Sequence, residues 1–125
     1  MQLTEHRNER QLFVRKASAE SVSVIDREFH SSIVLGATAV DEQFPPRHVR
    51  DLDAGAIARI LAFQPEVVLL GTGARAEFPP QQVLAEFLRR GIGIEPMDNA
   101  AAARTFNVLV GEGRNVVAVF LLGAD

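Results

Sequence analysis

The chain has 125 residues, 47% of them hydrophobic, with 13 basic against 16 acidic side chains and a net charge of -3. That length fits one domain over 1–125, large enough to bury roughly two-thirds of its unfolded surface without staples. The absence of cysteine excludes disulfides, thiolate metal sites and cysteine nucleophiles.

Lys16 is the only lysine among the basic residues, and the arginines are scattered. Arg7, Arg10, Arg15 and Lys16 are interleaved with Glu5, Glu9 and Glu20, so no basic stripe forms and nucleic acid is not an expected partner. The opening residues carry both signs of charge and no apolar core, unlike a secretory signal or a transit peptide. Residues 1–10 are expected to be flexible. The longest apolar runs, Val67–Leu70 and Val116–Leu122, are far shorter than the ~20 residues of a membrane span. A cytoplasmic protein that does not span a membrane is expected.

In chain order, Phe13-Val14-Arg15 opens a β region. Val22 and Val24 alternate with Ser21 and Ser23, Asp26-Arg27 is a turn, and Glu28–Leu35 reads as a second strand, making an N-terminal hairpin. Gly36–Phe44 is a short strand or irregular segment ended by Pro45-Pro46. Asp51 and Asp53 are both N-cap candidates for a helix with Ile57, Ile60 and Leu61 on one face, stopped by Pro65. Val67–Leu70 is a strand covered on both faces. After the loop Gly71–Ala76, Pro79-Pro80 leads into a helix with Val83, Leu84, Phe87 and Leu88 as its apolar stripe and Gly91 as its stop.

Ile92–Glu95 is a short strand closed by Pro96. Asp98 or Asn99 caps a third helix carrying Ala102, Ala103, Phe106, Leu109 and Val110, ended by Gly113. Val116–Leu122 is the last strand. Strands joined by crossover helices run parallel. The expected fold is therefore a three-layer α/β domain with a mixed, partly parallel central sheet, helices and an N-terminal β-hairpin. Ligands bind such sheets beyond the carboxyl ends of the strands, here Gly71–Arg75, Pro96–Asn99 and Gly123–Asp125.

Gly71-Thr72-Gly73-Ala74-Arg75-Ala76 matches G-x-G-x-x-A after a strand, and Glu95 ends the next strand. A dinucleotide fingerprint needs a helix to start at the motif so that its N–H groups face a pyrophosphate. Here the helix starts several residues later, behind two prolines that lack N–H groups. A tight glycine turn is the simpler reading, with Arg75 left to hold a small anion. His6, His30 and His48 lack metal-ligand spacing. Ser31 and Ser32 lie within a strand and not on a nucleophile elbow. No catalytic residue, metal or cofactor is expected. The candidate ligand-binding residues are Gly71, Thr72, Gly73, Arg75, Asp98 and Asn99. Thr105 and Asn107 are poor helix formers, expected to bond the backbone of neighbouring loops.

Gly71-Thr72-Gly73, Met97–Leu109 and Glu112–Val116 together resemble the Mth-domain family of largely uncharacterised small proteins. Its relatives include a mitochondrial assembly factor for respiratory complex I and a vertebrate adipogenesis-associated protein. The resemblance runs from about Phe13 to Leu122. It implies a three-layer α/β fold and no established catalytic residues. It also implies protein partners, respiratory-complex subunits or assembly intermediates among them, and the high apolar fraction allows a homo-oligomer. Gly71, Gly73, Met97, Asp98, Arg104, Asn107, Glu112, Gly113 and Arg114 match the family. Asn99 stands where relatives often have Thr and Phe106 where they often have Tyr, so this chain lacks any site built on those hydroxyls. No cysteine follows the last strand, unlike some relatives.

Overall fold

In the computed structural model, which describes residues 11–123, the chain folds as two sheets and three α-helices. The expectation of a flexible 1–10 lies outside the described residues.

Strands β1 (Val14–Ala17), β2 (Val22–Val24) and β3 (Arg27–Phe29) form an antiparallel sheet in the order β1-β2-β3. The expected second strand, Glu28–Leu35, is broken at His30–Ser32. Its far half, β4 (Ile33–Leu35), belongs to another sheet. The Ser32 hydroxyl accepts from the Leu122 N–H at 3.0 Å and so ties the corner to the end of the last strand. The N-terminal addition is thus a three-stranded meander. Its edge strand β1 is not left bare, because the Asn107 amide accepts from the Val14 N–H and donates to the Val14 carbonyl, both at 2.9 Å. Asn107 thus bonds backbone, but that of a strand and not of a neighbouring loop as expected, and it covers part of an edge that would otherwise template association. Thr105 bonds its own helix instead, donating to the Ala101 carbonyl at 2.8 Å.

The second sheet holds five strands: β4, β5 (Val40–Asp41), β6 (Val67–Gly71), β7 (Gly93–Met97) and β8 (Val116–Phe120). Their order is β5-β4-β8-β6-β7. β8, β6 and β7 are parallel, while β4 runs antiparallel to β8 and to β5, so the sheet is mixed.

Residues 116–122 are apolar at every position because both faces are covered. Val116, Ala118, Phe120 and Leu122 meet α3 (Asn99–Gly111) and the small sheet; Val117, Val119 and Leu121 meet α1 (Ala54–Leu61) and α2 (Gln81–Leu88). Asp53 caps α1, its carboxylate accepting from the Ala56 N–H at 2.9 Å. Asp51 ends a separate 3-10 turn, Val49–Asp51, and is not the α1 cap. Gly91, at φ +74, ends α2 by bonding the Leu88 carbonyl, as glycine does in the left-handed position after a helix.

Two expectations about the α2–β7 region change. Leu88 is 62% exposed, and the helix turns only Val83 and Phe87 fully inward. Pro96 lies inside β7 and does not close it. A proline is tolerated there because β7 is an edge strand, where one N–H has no neighbour to bond.

Candidate functional site

The connection β6-α2-β7 steps outward to the sheet edge, and β7-α3-β8 steps back past β6. With right-handed crossovers such a reversal places the two helices on opposite faces, as α2 and α3 are. The crevice where a ligand would enter therefore lies between the carboxyl ends of β6 and β8, with the β7–α3 connection passing over it. The sequence candidates Gly71, Thr72, Gly73, Arg75, Asp98 and Asn99 do converge here.

Bonds within the chain lace this crevice shut. The Thr72 N–H bonds the Met97 carbonyl and the Asn99 N–H bonds the Gly73 carbonyl, both at 2.9 Å. Asn99 Oδ1 accepts from the Gly73 N–H at 3.1 Å. Its Nδ2 donates to the Ser18 carbonyl at 2.8 Å and to the Leu121 carbonyl at 3.1 Å. One fully buried amide thus joins the β1–β2 turn, the glycine loop, the start of α3 and the end of β8. The Leu121 N–H bonds the Gly71 carbonyl at 3.0 Å.

Gly71 is required by proximity and not by φ. A Cβ there would overlap Asn99 Oδ1 and come within 2.9 Å of the Val119 carbonyl oxygen. Gly73 has φ +100 with open space around it, the left-handed turn expected from its sequence. The Thr72 hydroxyl donates to the Arg75 carbonyl at 2.6 Å and accepts from the Glu77 N–H at 3.0 Å, which fixes the loop.

The dinucleotide fingerprint fails in detail. The N–H groups of Thr72, Gly73 and Glu77 bond the chain itself, and α2 begins at Gln81, behind the motif. Asp98 is the α3 cap, accepting from the Ala101 N–H at 2.8 Å, while Asn99 sits inside the first turn. Arg75 is the exposed member of the set.

Among the described residues, no three or more His, Asp or Glu are grouped to hold a metal ion. A cavity of about 370 Å³ lies elsewhere, between α1 and α2, lined by Ile57, Leu61, Gln82, Val83, Glu86 and Arg90. At its rim Arg90, 3.1 Å from Glu86, holds that carboxyl below its ordinary value of 4.5 by its hydrogen bond, and the Arg89 charge adds to the effect.

Sequence reading missed that Ser18 and Leu121 anchor Asn99 through their carbonyls, since a backbone acceptor has no sequence signature. It also missed the open edge at β7, although Pro96 just after the strand-like Ile92–Glu95 was a usable signal of an edge strand.

Similar proteins share this architecture. A Xanthomonas campestris protein superposes with a TM-score of 0.85 at 38% identity, covering 98% of this chain and 93% of that one. A Bordetella pertussis protein described as an Mth938-like domain gives 0.78 at 25% identity, covering 100% of this chain and 94% of that one. The 13 kDa major membrane protein of Francisella tularensis is 30% identical over 75% of this chain and 77% of its own length. An NADH dehydrogenase assembly factor, the alpha subcomplex assembly factor 3 of Danio rerio, is 44% identical over 50% of this chain. That match spans 36% of the zebrafish factor, and the human counterpart is matched over 27% of its length. The profile described as "Protein of unknown function (DUF498/DUF598)" matches residues 14–121, and the chain belongs to that family.

Proposed function

We propose that this protein is a non-catalytic interaction protein that serves the assembly of respiratory complex I. The observation that carries the first half is the laced crevice: where sheets of this order bind ligands, the amide and hydroxyl groups of Asn99 and Thr72 bond the chain itself. The second half rests on kinship with factors named for complex I assembly, of which this chain matches only a part. A cytoplasmic location is part of the reading. Among the described residues no helix is long and apolar enough to cross a membrane, and contact with membrane complexes would run through protein partners.

The test is an affinity pull-down of the tagged chain from native extract, read by mass spectrometry, beside an Arg75→Glu variant. Recovery of NADH dehydrogenase subunits or their assembly intermediates is expected, and loss with the variant would map the contact to the loop. A pull-down with no such subunits above background overturns the assembly reading.

A second reading keeps a small-anion site at the loop tip, favoured by exposed Arg75 beside the open turn at Gly73. Weak hydrolase activity would be its extension. Titration with inorganic phosphate and with ATP decides it: heat of binding that disappears in Arg75→Ala supports the site, and no heat from either rejects it.

A further inference from the structure

We propose that the chain pairs with a second copy of itself along the outer edge of β7, the two strands antiparallel about a two-fold axis at Ile94. The pairing is independent of the assembly reading above.

The backbone sets the register. The Met97 carbonyl bonds the Thr72 N–H, so Met97, and by alternation Glu95 and Gly93, direct their groups to β6. Ile94 and Pro96 then face outward, where β7 has no neighbour among the described residues. Pro96 has no N–H to offer. The Ile92 N–H is already bonded to the Phe87 carbonyl at 2.9 Å. Ile94 is therefore the residue of β7 that presents both a donor and an acceptor. In an antiparallel pair one residue exchanges both bonds with the residue opposite, and a two-fold axis makes that residue its own copy. The ladder stops at Pro96, so the edge closes with one partner and does not grow.

The side chains agree with that register. Glu95 falls opposite Gly93 of the second copy, so the two glutamates do not meet and no like charges face each other. On α2, Gln82, Glu86 and Arg90 line the groove toward α1. By helical spacing Leu84 and Leu88, one turn apart, fall on the flank of α2 away from that groove, and α2 packs on β7. The axis sets each α2 antiparallel to its copy and brings these flanks together, covering Leu88, now 62% exposed.

Sedimentation velocity of the full chain over a concentration series tests the pairing, with circular dichroism as the check on folding. Gly93 is the discriminating position, because an added Cβ would meet only Val67 Cγ2 at 3.8 Å, an ordinary contact. Gly93→Glu places like charges opposite at both symmetric positions and is expected to weaken dimerisation roughly tenfold. Gly93→Lys is expected to strengthen it by a similar factor, and Leu88→Glu to leave a monomer. Glu95→Lys combined with Gly93→Glu should restore the dimer. A wild-type chain that is monomeric throughout the series overturns the proposal. So does a dimer whose affinity is the same in all of these folded variants.

Discussion

The carboxyl end of the parallel strands and the outer flank of β7 and α2 differ in how completely their polar groups are matched. At the strand ends, one buried amide, Asn99, serves three backbone groups from three segments. On the flank, an edge strand leaves backbone groups facing outward beside a leucine that is 62% exposed. The glycine motif drew attention to the first region, yet its groups bond one another. No motif marked the second, yet it is the one with bonding capacity left for another molecule. A glycine loop signals close approach of backbone, and the approaching group here belongs to the same chain.

Breaking the matched region should have the largest effect. Asn99→Ala strands the Gly73 N–H and the Ser18 and Leu121 carbonyls together. A loss of about 3–4 kcal/mol in urea unfolding is expected, since each buried group left without a partner costs about 1–3 kcal/mol. Gly71→Ala attacks the same junction by volume, and overpacking of this kind costs about 1–3 kcal/mol in the same measurement. Unfolding of either variant within about 0.5 kcal/mol of the wild type would show that Asn99 and Gly71 do not hold this junction together.

Arg75→Ala sharpens the contrast inside one loop. Its side chain is exposed, so stability should stay within about 0.5 kcal/mol although the position lies four residues from Gly71. The smallest effect belongs to Glu86 on α2. Its carboxyl is held below 4.5, first by the Arg90 hydrogen bond and then by the Arg89 charge. A lowered folded value means that its contribution is complete above pH 4.5 and fades as the pH falls through the lower folded value. Wild type and Glu86→Gln should therefore differ slightly in melting temperature at neutral pH and converge in acid. A gap that widened on acidification would contradict the assignment.

Much of the fold was legible because it rests on short-range chemistry. The continuously apolar runs at Val67 and Val116 marked strands covered on both faces, and the pair Asp98-Asn99 and Gly91 marked helix ends. The split at His30–Ser32 was not legible, because Glu28–Leu35 has the composition of one strand and only the tie from Ser32 to Leu122, 90 residues apart, turns the corner. Leu88 extended an apolar stripe by spacing, but helical periodicity cannot tell whether anything covers the last turn.

By itself the sequence determined the alternation of the three helices with the three parallel strands and the place where loops gather, since periodicity, caps and prolines act locally. Only the tertiary structure decided what that gathering is for. Asn99 was a candidate ligand residue as long as its partners were unknown, and three backbone groups brought from distant segments engaged its amide. Pro96 was a strand end until the sheet order made β7 an edge. In both cases the deciding partner lies far off in the chain, and backbone groups carry no residue-specific mark by which a sequence could name them.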